Sequence, residues 1–590
     1  MATLHSPERK KSHGIHYTPP ALADCLAERM MEYLPAREGP LRVVDPAVGD
    51  GALLSSFATA CIRRNIEVRT DGFDTDESAV CASKKLLQGM LPSSHVHIVD
   101  ADYLEVARPP SRHTLFPDEV ELASVDVVIA NPPYVRTQEL GAIRAQGLAE
   151  KFDLTGRIDL YQAFIKAISW TLVPGGIAGL IVPNRFMTVR AGKDIRSFLL
   201  SHFELLEIWD LGDTRLFEAA VLPAVLILRK AEDCGNARAV SPIFRSVYCA
   251  PTSSAKAVRS VMNACEALEQ EGMAKTRDGE LLCVKHGLLD HGDSLEGVWR
   301  LSTQTGDDWL ETVRKHTFLR FGDIGKIRVG VKTTADNVFL RTEWEGEHLP
   351  DQHLPELLRP VTTHHVARSF CATEVTRKIL YPHVFENGKR RPVDLDTYPV
   401  SKQYLERHKT QLEERTYVTN SGRKWFELWV PQSPELWSLP KVVFRDISEK
   451  PMFWMDLDGT VVNGDCYWII SEGGDPEMLW LLLAVANSTF IEDFYDHSFN
   501  NKLYAGRRRF MTQYVETFPL PDPSLRSSQR LMEKAKQIFK LLESGGDVSV
   551  KLEELNSQVY ECFGLTSSDS STLPAKVFEA CDSQLYPQTA

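Results

Sequence analysis

Seven short apolar runs, alternating with stretches of helical periodicity, fill the first 230 residues, and this rhythm restricts the fold more than any other feature. The runs lie at 41–46, 67–74, 96–102, 125–133, 177–183, 205–211 and 224–230, with helix-like segments such as 51–64 and 159–173 between them. Strand and helix in alternation point to a mostly parallel sheet, because a parallel neighbour is reached only through a crossover and the helices then cover both faces. The expected fold is therefore α/β, a Rossmann-like doubly wound sheet. After Lys230 the rhythm stops, and from about 316 the chain turns to short strands rich in Trp, Tyr and Arg. Residues 529–543 and 551–564 read as helices ahead of a polar, Ser-rich tail. A chain of 590 residues exceeds one core. The expected division is a first domain over 1–245, a connecting segment over 246–315 and a mixed α+β domain over 316–590.

Composition excludes several classes. No apolar run approaches the roughly 20 residues that span a bilayer, and the polar, basic start has no apolar stretch after it, unlike a secretory signal. Eleven cysteines are scattered without a Cys-x-x-Cys pair, which speaks against a thiolate zinc site or a disulfide framework and fits a reducing cytosol. No metal is expected. The formal charge of −13 does not favour a polyanionic partner for the whole surface, so any nucleic-acid contact requires a local basic face.

Three of the first strands end in acids. Asp45-Pro46-Ala47-Val48-Gly49 closes the first, and its small residues let a ligand approach the backbone. A plain strand–turn–helix with two glycines reads the same way. The second ends at Asp74, where nucleotide-type folds grip ribose hydroxyls, and the third at Asp102 beside Tyr103, an acceptor for an adenine amino group with an aromatic to lie on its face. Singly, each acid also reads as a solvated strand end. The first turn lacks the Gly-x-Gly-x-x-Gly that admits a pyrophosphate. The pattern therefore implies an adenosine ligand without phosphates, and S-adenosylmethionine meets that description.

The fourth strand ends in Asn131-Pro132-Pro133-Tyr134. An amine on an aromatic ring is a poor nucleophile because its lone pair is delocalised. The Asn131 side-chain oxygen and the Pro132 carbonyl can both accept from such an amine and localise that pair, while the prolines hold the backbone rigid. Tyr134 offers a stacking face worth about 1–3 kcal/mol. A turn opened by Asn-Pro is the plain alternative.

With these residues in order, the segment from about 13 to 230 resembles the amino-terminal domain of the adenine-N6 DNA methyltransferases of restriction–modification systems, of the Taq-like or γ subclass. That resemblance implies a class I methyltransferase domain followed by target recognition. Tyr17 and Thr18, within His16-Tyr17-Thr18-Pro19-Pro20, are similar to the family's opening motif, with the threonine at the methionine end of the cofactor. Asp45, Pro46, Ala47 and Gly49 match the glycine-turn motif, Asp74 the ribose-binding acid, Asp102 and Tyr103 the adenine pair, and Asn131 to Tyr134 the catalytic tetrapeptide. Phe217 resembles the second aromatic held against a flipped adenine.

An enzyme acting on a base inside duplex DNA must extrude it and grip the opened helix. Lys332 lies in a segment resembling the entry to the family's specificity domain, and Arg507, Arg508 and Arg509 stand among Tyr504, Gly506 and Phe510, a mixture that suits a backbone-gripping loop. Lys389-Arg390-Arg391 and Lys441 with Arg445 are further basic groups. Charge runs are also common as solvated faces. The resemblance implies methylation of adenine N6 in double-stranded DNA, in the bacterial or archaeal cytoplasm, protecting the site from a cognate endonuclease. The alternatives are methylation of RNA guanine N2 or of a protein glutamine, a bifunctional restriction and methylation enzyme, and a DNA-binding module without catalysis.

Overall fold

The computed structural model describes residues 17–35, 39–109, 125–135, 141–155, 159–214, 216, 222–232, 241–250, 258–344, 354–499 and 507–566. They form two compact units, the first comprising the residues to Asp307 together with Phe499 and the second Asp308–Ser498 and the residues from Arg507 on.

In the first unit the strands are β1 (Leu41–Asp45), β2 (Val68–Asp74), β3 (Val96–Asp100), β4 (Val125–Ala130), β5 (Leu172–Pro183), β6 (Phe203–Asp210) and β7 (Pro223–Lys230). They lie in the order β3-β2-β1-β4-β5-β7-β6, parallel except for β7, which runs antiparallel between β5 and β6. Four helices bear on the site: α1 (Pro20–Met31), α2 (Ala52–Arg63), α3 (Glu77–Gln88) and α4 (Leu160–Thr171).

Sheet alternation divides the core into two layers. Val43, Val127 and Ile129 join Leu26 and Phe57 on one face, and Val44, Val128 and Ala130 join Phe164 and Ile168 on the other. All six residues of β4 are buried, the signature of a central parallel strand covered on both sides. Each fully buried valine or isoleucine contributes about 1.5–3 kcal/mol. The strand order reverses between β1 and β4, so their carboxyl ends flank the crevice where open α/β sheets bind ligands.

The stretch expected to be a connecting segment instead extends this sheet. Residues Ile243–Cys249 (β8) pair in parallel with β6, and Arg259–Val261, Gly272–Thr276, Leu281–Asp290 and Arg300–Ser302 continue outward, giving twelve strands among the described residues. Short, irregularly spaced strands hid this continuation, because β-hairpin pairing carries no helical rhythm to read.

The second unit holds a five-stranded sheet in the order Arg328–Val329, Cys466–Ile469, Lys441–Arg445, Phe453–Asp456, Phe370–Cys371. Its core is aromatic, with Trp437, Trp454, Trp468, Tyr381 and Phe339 buried together. The helices expected near the carboxyl end are Arg526–Glu543 and Ser549–Cys562. Among the described residues no helix is long and apolar enough to cross a membrane, and no group of three or more His, Cys, Asp or Glu is placed to hold a metal ion.

Candidate active site

The turn after β1 is built by backbone geometry. Gly49 and Gly51 both sit in the left-handed region, at φ +52° and +85°, where a side chain is strained. At Gly51 a Cβ would also come within 3.0 Å of the Ser83 Cβ, so the glycine lets α2 start hard against α3. The freed amides are used at once. Gly49 N donates to Asp74 Oδ2 at 2.9 Å, Asp76 N to Asp74 Oδ1 at 3.0 Å, and Ala47 N to Asp45 Oδ1 at 2.9 Å.

These contacts gather Asp45, Asp50, Asp74 and Asp76 around the ends of β1 and β2. Among the described residues no lysine or arginine pairs with Asp45, Asp50 or Asp74. Burial raises the Asp74 and Asp50 carboxyls above their ordinary range, and it pushes Asp45 up to about 8, with Asp74 and Asp50 adding repulsion. The Tyr17 ring lies over the turn, 3.6 Å from where a Gly49 Cβ would stand, and its phenol is raised by burial and then by Asp50, Asp76 and Asp74. Buried acids without cations form a place for a positive ligand with hydroxyls to donate. Asp74 keeps acceptor capacity beyond its two amide bonds, since a carboxylate offers about four lone-pair sites. The residues present therefore fit S-adenosylmethionine.

Across the crevice, β4 delivers Asn131. Its Nδ2 donates to Thr18 Oγ1 at 3.1 Å, and the Tyr134 hydroxyl donates to its Oδ1 at 2.8 Å. Thr18 is 7% exposed and stands just before Pro19 and α1, so the amino-terminal segment fixes which end of the amide is donor and which is acceptor. Tyr134 is held protonated because burial, and then the neighbouring Tyr161, raise its phenol far above the ordinary value. Pro132 is buried, and Leu160 N donates to Val135 O at 2.9 Å, anchoring the tetrapeptide to the start of α4.

Tyr17, Thr18, Asp45, Pro46, Ala47, Gly49, Asp74, Asn131, Pro132 and Tyr134 thus come together at the carboxyl ends of β1, β2 and β4. Asp102 stands at the end of β3, where its Oδ1 accepts from Leu104 N and its Oδ2 pairs with Arg144 at 2.9 Å. That arginine, 42 residues away, gave no signal in the sequence. Tyr103 departs from expectation. Its ring is 1% exposed, stacked on Phe164 and 5.5 Å from Phe73, with its hydroxyl on Thr171 at 2.8 Å. Tyr103 opens the short helix Tyr103–Val106, capped by Asp102, and that helix turns the ring into the apolar layer against Phe164, so the ring is core. Phe217 lies outside the described residues.

In the second unit the arginine run is also corrected. Arg508 is buried and clamps Asp496 with two bonds, Nε at 2.8 Å and Nη2 at 2.9 Å, while Nη1 donates to Glu449 O at 2.6 Å. It is a structural cation, because residues of one strand alternate between core and solvent and this one faces in. Arg509 pairs with Asp446 at 3.0 Å and is half exposed, and Arg507 and Lys332 are exposed. Lys441 is buried on Asp456 at 2.9 Å.

The comparisons agree with this architecture. Residues 73–217 match the family described as Eco57I restriction-modification methylase, and residues 389–520 match the TaqI-like C-terminal specificity domain. Over 546 residues the chain is 36% identical to the type II methyltransferase M.BanIII of Aneurinibacillus aneurinilyticus, covering 90% of this chain and 93% of that one. It is 24% identical to M.BstVI of Geobacillus stearothermophilus, covering 90% and 94%, and 24% identical to M.XhoI of Xanthomonas vasicola, covering 86% and 85%.

Proposed function

The chain belongs to the type II restriction–modification methyltransferases, and from that premise we propose that it methylates N6 of adenine within a short sequence of double-stranded DNA, using S-adenosylmethionine. The observation that carries this reading is the orientation of the Asn131 amide, with Nδ2 on Thr18 and Oδ1 turned to accept from a donor on an aromatic ring. An exocyclic amine reaching Oδ1 takes the place of the Tyr134 hydroxyl, and its lone pair is localised by that bond and by the Pro132 carbonyl. The Asn131 amide is oriented by Thr18 before the base arrives, so the rearrangement it needs is small, the release of the Tyr134 hydroxyl. The Tyr134 ring then supplies the stacking face for a base extruded from the duplex.

Tyr17, Thr18, Asp45, Pro46, Ala47, Gly49, Asp74 and Asp102 would hold S-adenosylmethionine, which supplies an electrophilic sulfonium methyl when bound. The uncompensated acids Asp45, Asp50 and Asp74 favour that cation over its neutral product, which aids release. The first unit is the catalytic part and the second supplies target recognition, with protection against a cognate endonuclease as the biological role. The test is transfer of a labelled methyl from S-adenosylmethionine to duplex DNA, followed by nucleoside mass spectrometry. N6-methyldeoxyadenosine is expected, and Asn131→Ala should slow transfer about 100–1,000-fold, as losing one preorganised polar group does, while calorimetry shows cofactor binding retained. Label recovered on cytosine, RNA or protein instead would sink the reading.

A further inference from the structure

Strands His383–Glu386 and Lys389–Pro392 form an isolated two-stranded ribbon, paired from His383↔Pro392 to Glu386↔Lys389. Its turn is Asn387-Gly388, at φ +52° and +72°, the two left-handed positions that a type I′ hairpin turn demands. Residues 385–391 are all exposed, even Phe385 being 44% exposed, while His383 and Val384 at the base pack on the unit.

The base, by contrast, is fixed. His383 is 1% exposed, accepts at Nε2 from Leu428 N at 3.1 Å, and is kept neutral by burial, with Arg390 and Arg423 adding to the effect. Arg390 Nη1 donates to the Gln432 carbonyl at 2.9 Å. Lys389 and Arg391 share the opposite face by strand alternation, and among the described residues neither forms a salt bridge.

We propose that this hairpin enters the major groove of the target duplex and that Arg391 and Lys389 read the bases there. The proposal rests on DNA being the substrate. From Phe385 to the turn the exposed part reaches about 7 Å at roughly 3.4 Å per residue, close to the groove depth of about 8.5 Å, and the groove width of about 12 Å admits two strands. Arg391 supplies the planar fork that suits guanine O6 and N7, and Lys389 a point charge. The hairpin carries three cations to the single acid Glu386 on a chain whose net charge is −13, which is the local basic face a polyanion requires.

The intact wild-type protein and a Lys389→Ala/Arg391→Ala variant are compared for binding to a duplex bearing the methylated site, identified by modified-base sequencing, and to a scrambled duplex. Affinity for the specific duplex should fall about 10–100-fold with much less change on the scrambled one. Cofactor binding and the thermal midpoint should be unchanged, since both side chains are exposed. Arg391→Lys keeps the charge and should broaden the set of methylated sites. Unchanged affinity and an unchanged site set overturn the proposal, and equal losses on both duplexes overturn groove reading in favour of backbone contact. Wild-type protein that moves no methyl onto any duplex removes the substrate premise itself, a failure distinct from that of the hairpin.

Discussion

Buried carboxylates occur in both units under opposite conditions. At the ends of β1 and β2, Asp45, Asp50 and Asp74 receive backbone amides and no cation among the described residues, and burial lifts all three. In the second unit Asp496 is clamped by Arg508 and Asp456 by Lys441, each inside the core. A desolvated acid without a partner is costly. The paired acids are complete as they stand and hold the unit together. The others lack a cation among the described residues, a contrast that supports reading the first group as a ligand site and the second as scaffold.

Substitutions can break this contrast. Arg508→Ala leaves buried acids without their cation and should destabilise the protein by about 3–5 kcal/mol, read by urea unfolding. A variant of normal stability that binds DNA poorly would return Arg508 to the nucleic-acid interface. At the other site, Asp74→Asn should weaken cofactor binding about 10–100-fold, since charged hydrogen bonds of roughly 1.5–3 kcal/mol are lost. The loss of stability should be smaller than Arg508→Ala gives, because one of the two backbone amides on Asp74 loses its acceptor. An equal loss of stability there would mean that Asp74 is scaffold alone.

Titration sharpens the comparison. Asp45 rises in the folded protein from an ordinary value near 3.8 to about 8. The native state therefore binds more protons than the unfolded chain in that window, and Asp45's contribution to stability, full below its ordinary value, is lost as pH rises through about 8. A bound cation prefers the ionised form, so cofactor affinity should rise with pH between about 5.5 and 7.5, by at most tenfold per unit. Calorimetry across that range checks it, and Asp45→Asn should flatten the slope. An equal slope in the variant would place the titration elsewhere.

The smallest effect concerns Thr18. Thr18→Val removes the acceptor that orients Asn131, so kcat should fall about tenfold, on the order of one hydrogen bond. Thr18→Ser should restore the rate. A matching loss in the serine variant would assign Thr18 to local folding alone.

Much of the first unit was legible because its signals are positional. Acids and the Asn131 tetrapeptide close apolar runs, and a parallel sheet forces such ends to one edge whatever the loops do. Tyr103 was misread because a strand end fixes where a residue stands and leaves open whether its ring turns to the crevice or to Phe164. The second unit was read from composition, and composition does not record facing. Three adjacent arginines counted as one patch, although strand alternation buries Arg508 between two outward neighbours. The hairpin carried a local signal, Asn387-Gly388 ahead of Lys389-Arg390-Arg391, that names its turn type. Nothing local reports that Arg144 reaches Asp102, since that pairing depends on how a distant helix settles.

The parallel pairing of β8 with β6 has a practical side. A polypeptide ended near residue 245 would stop inside β8 and strip its remaining partner from β6, whose Ile208 and Trp209 are buried in the native sheet. The bared row of amides and carbonyls would recruit other copies, as uncovered strand edges do. A soluble fragment retaining the amino-terminal chemistry should therefore extend at least to about Asp307, the end of the first unit's continuous stretch.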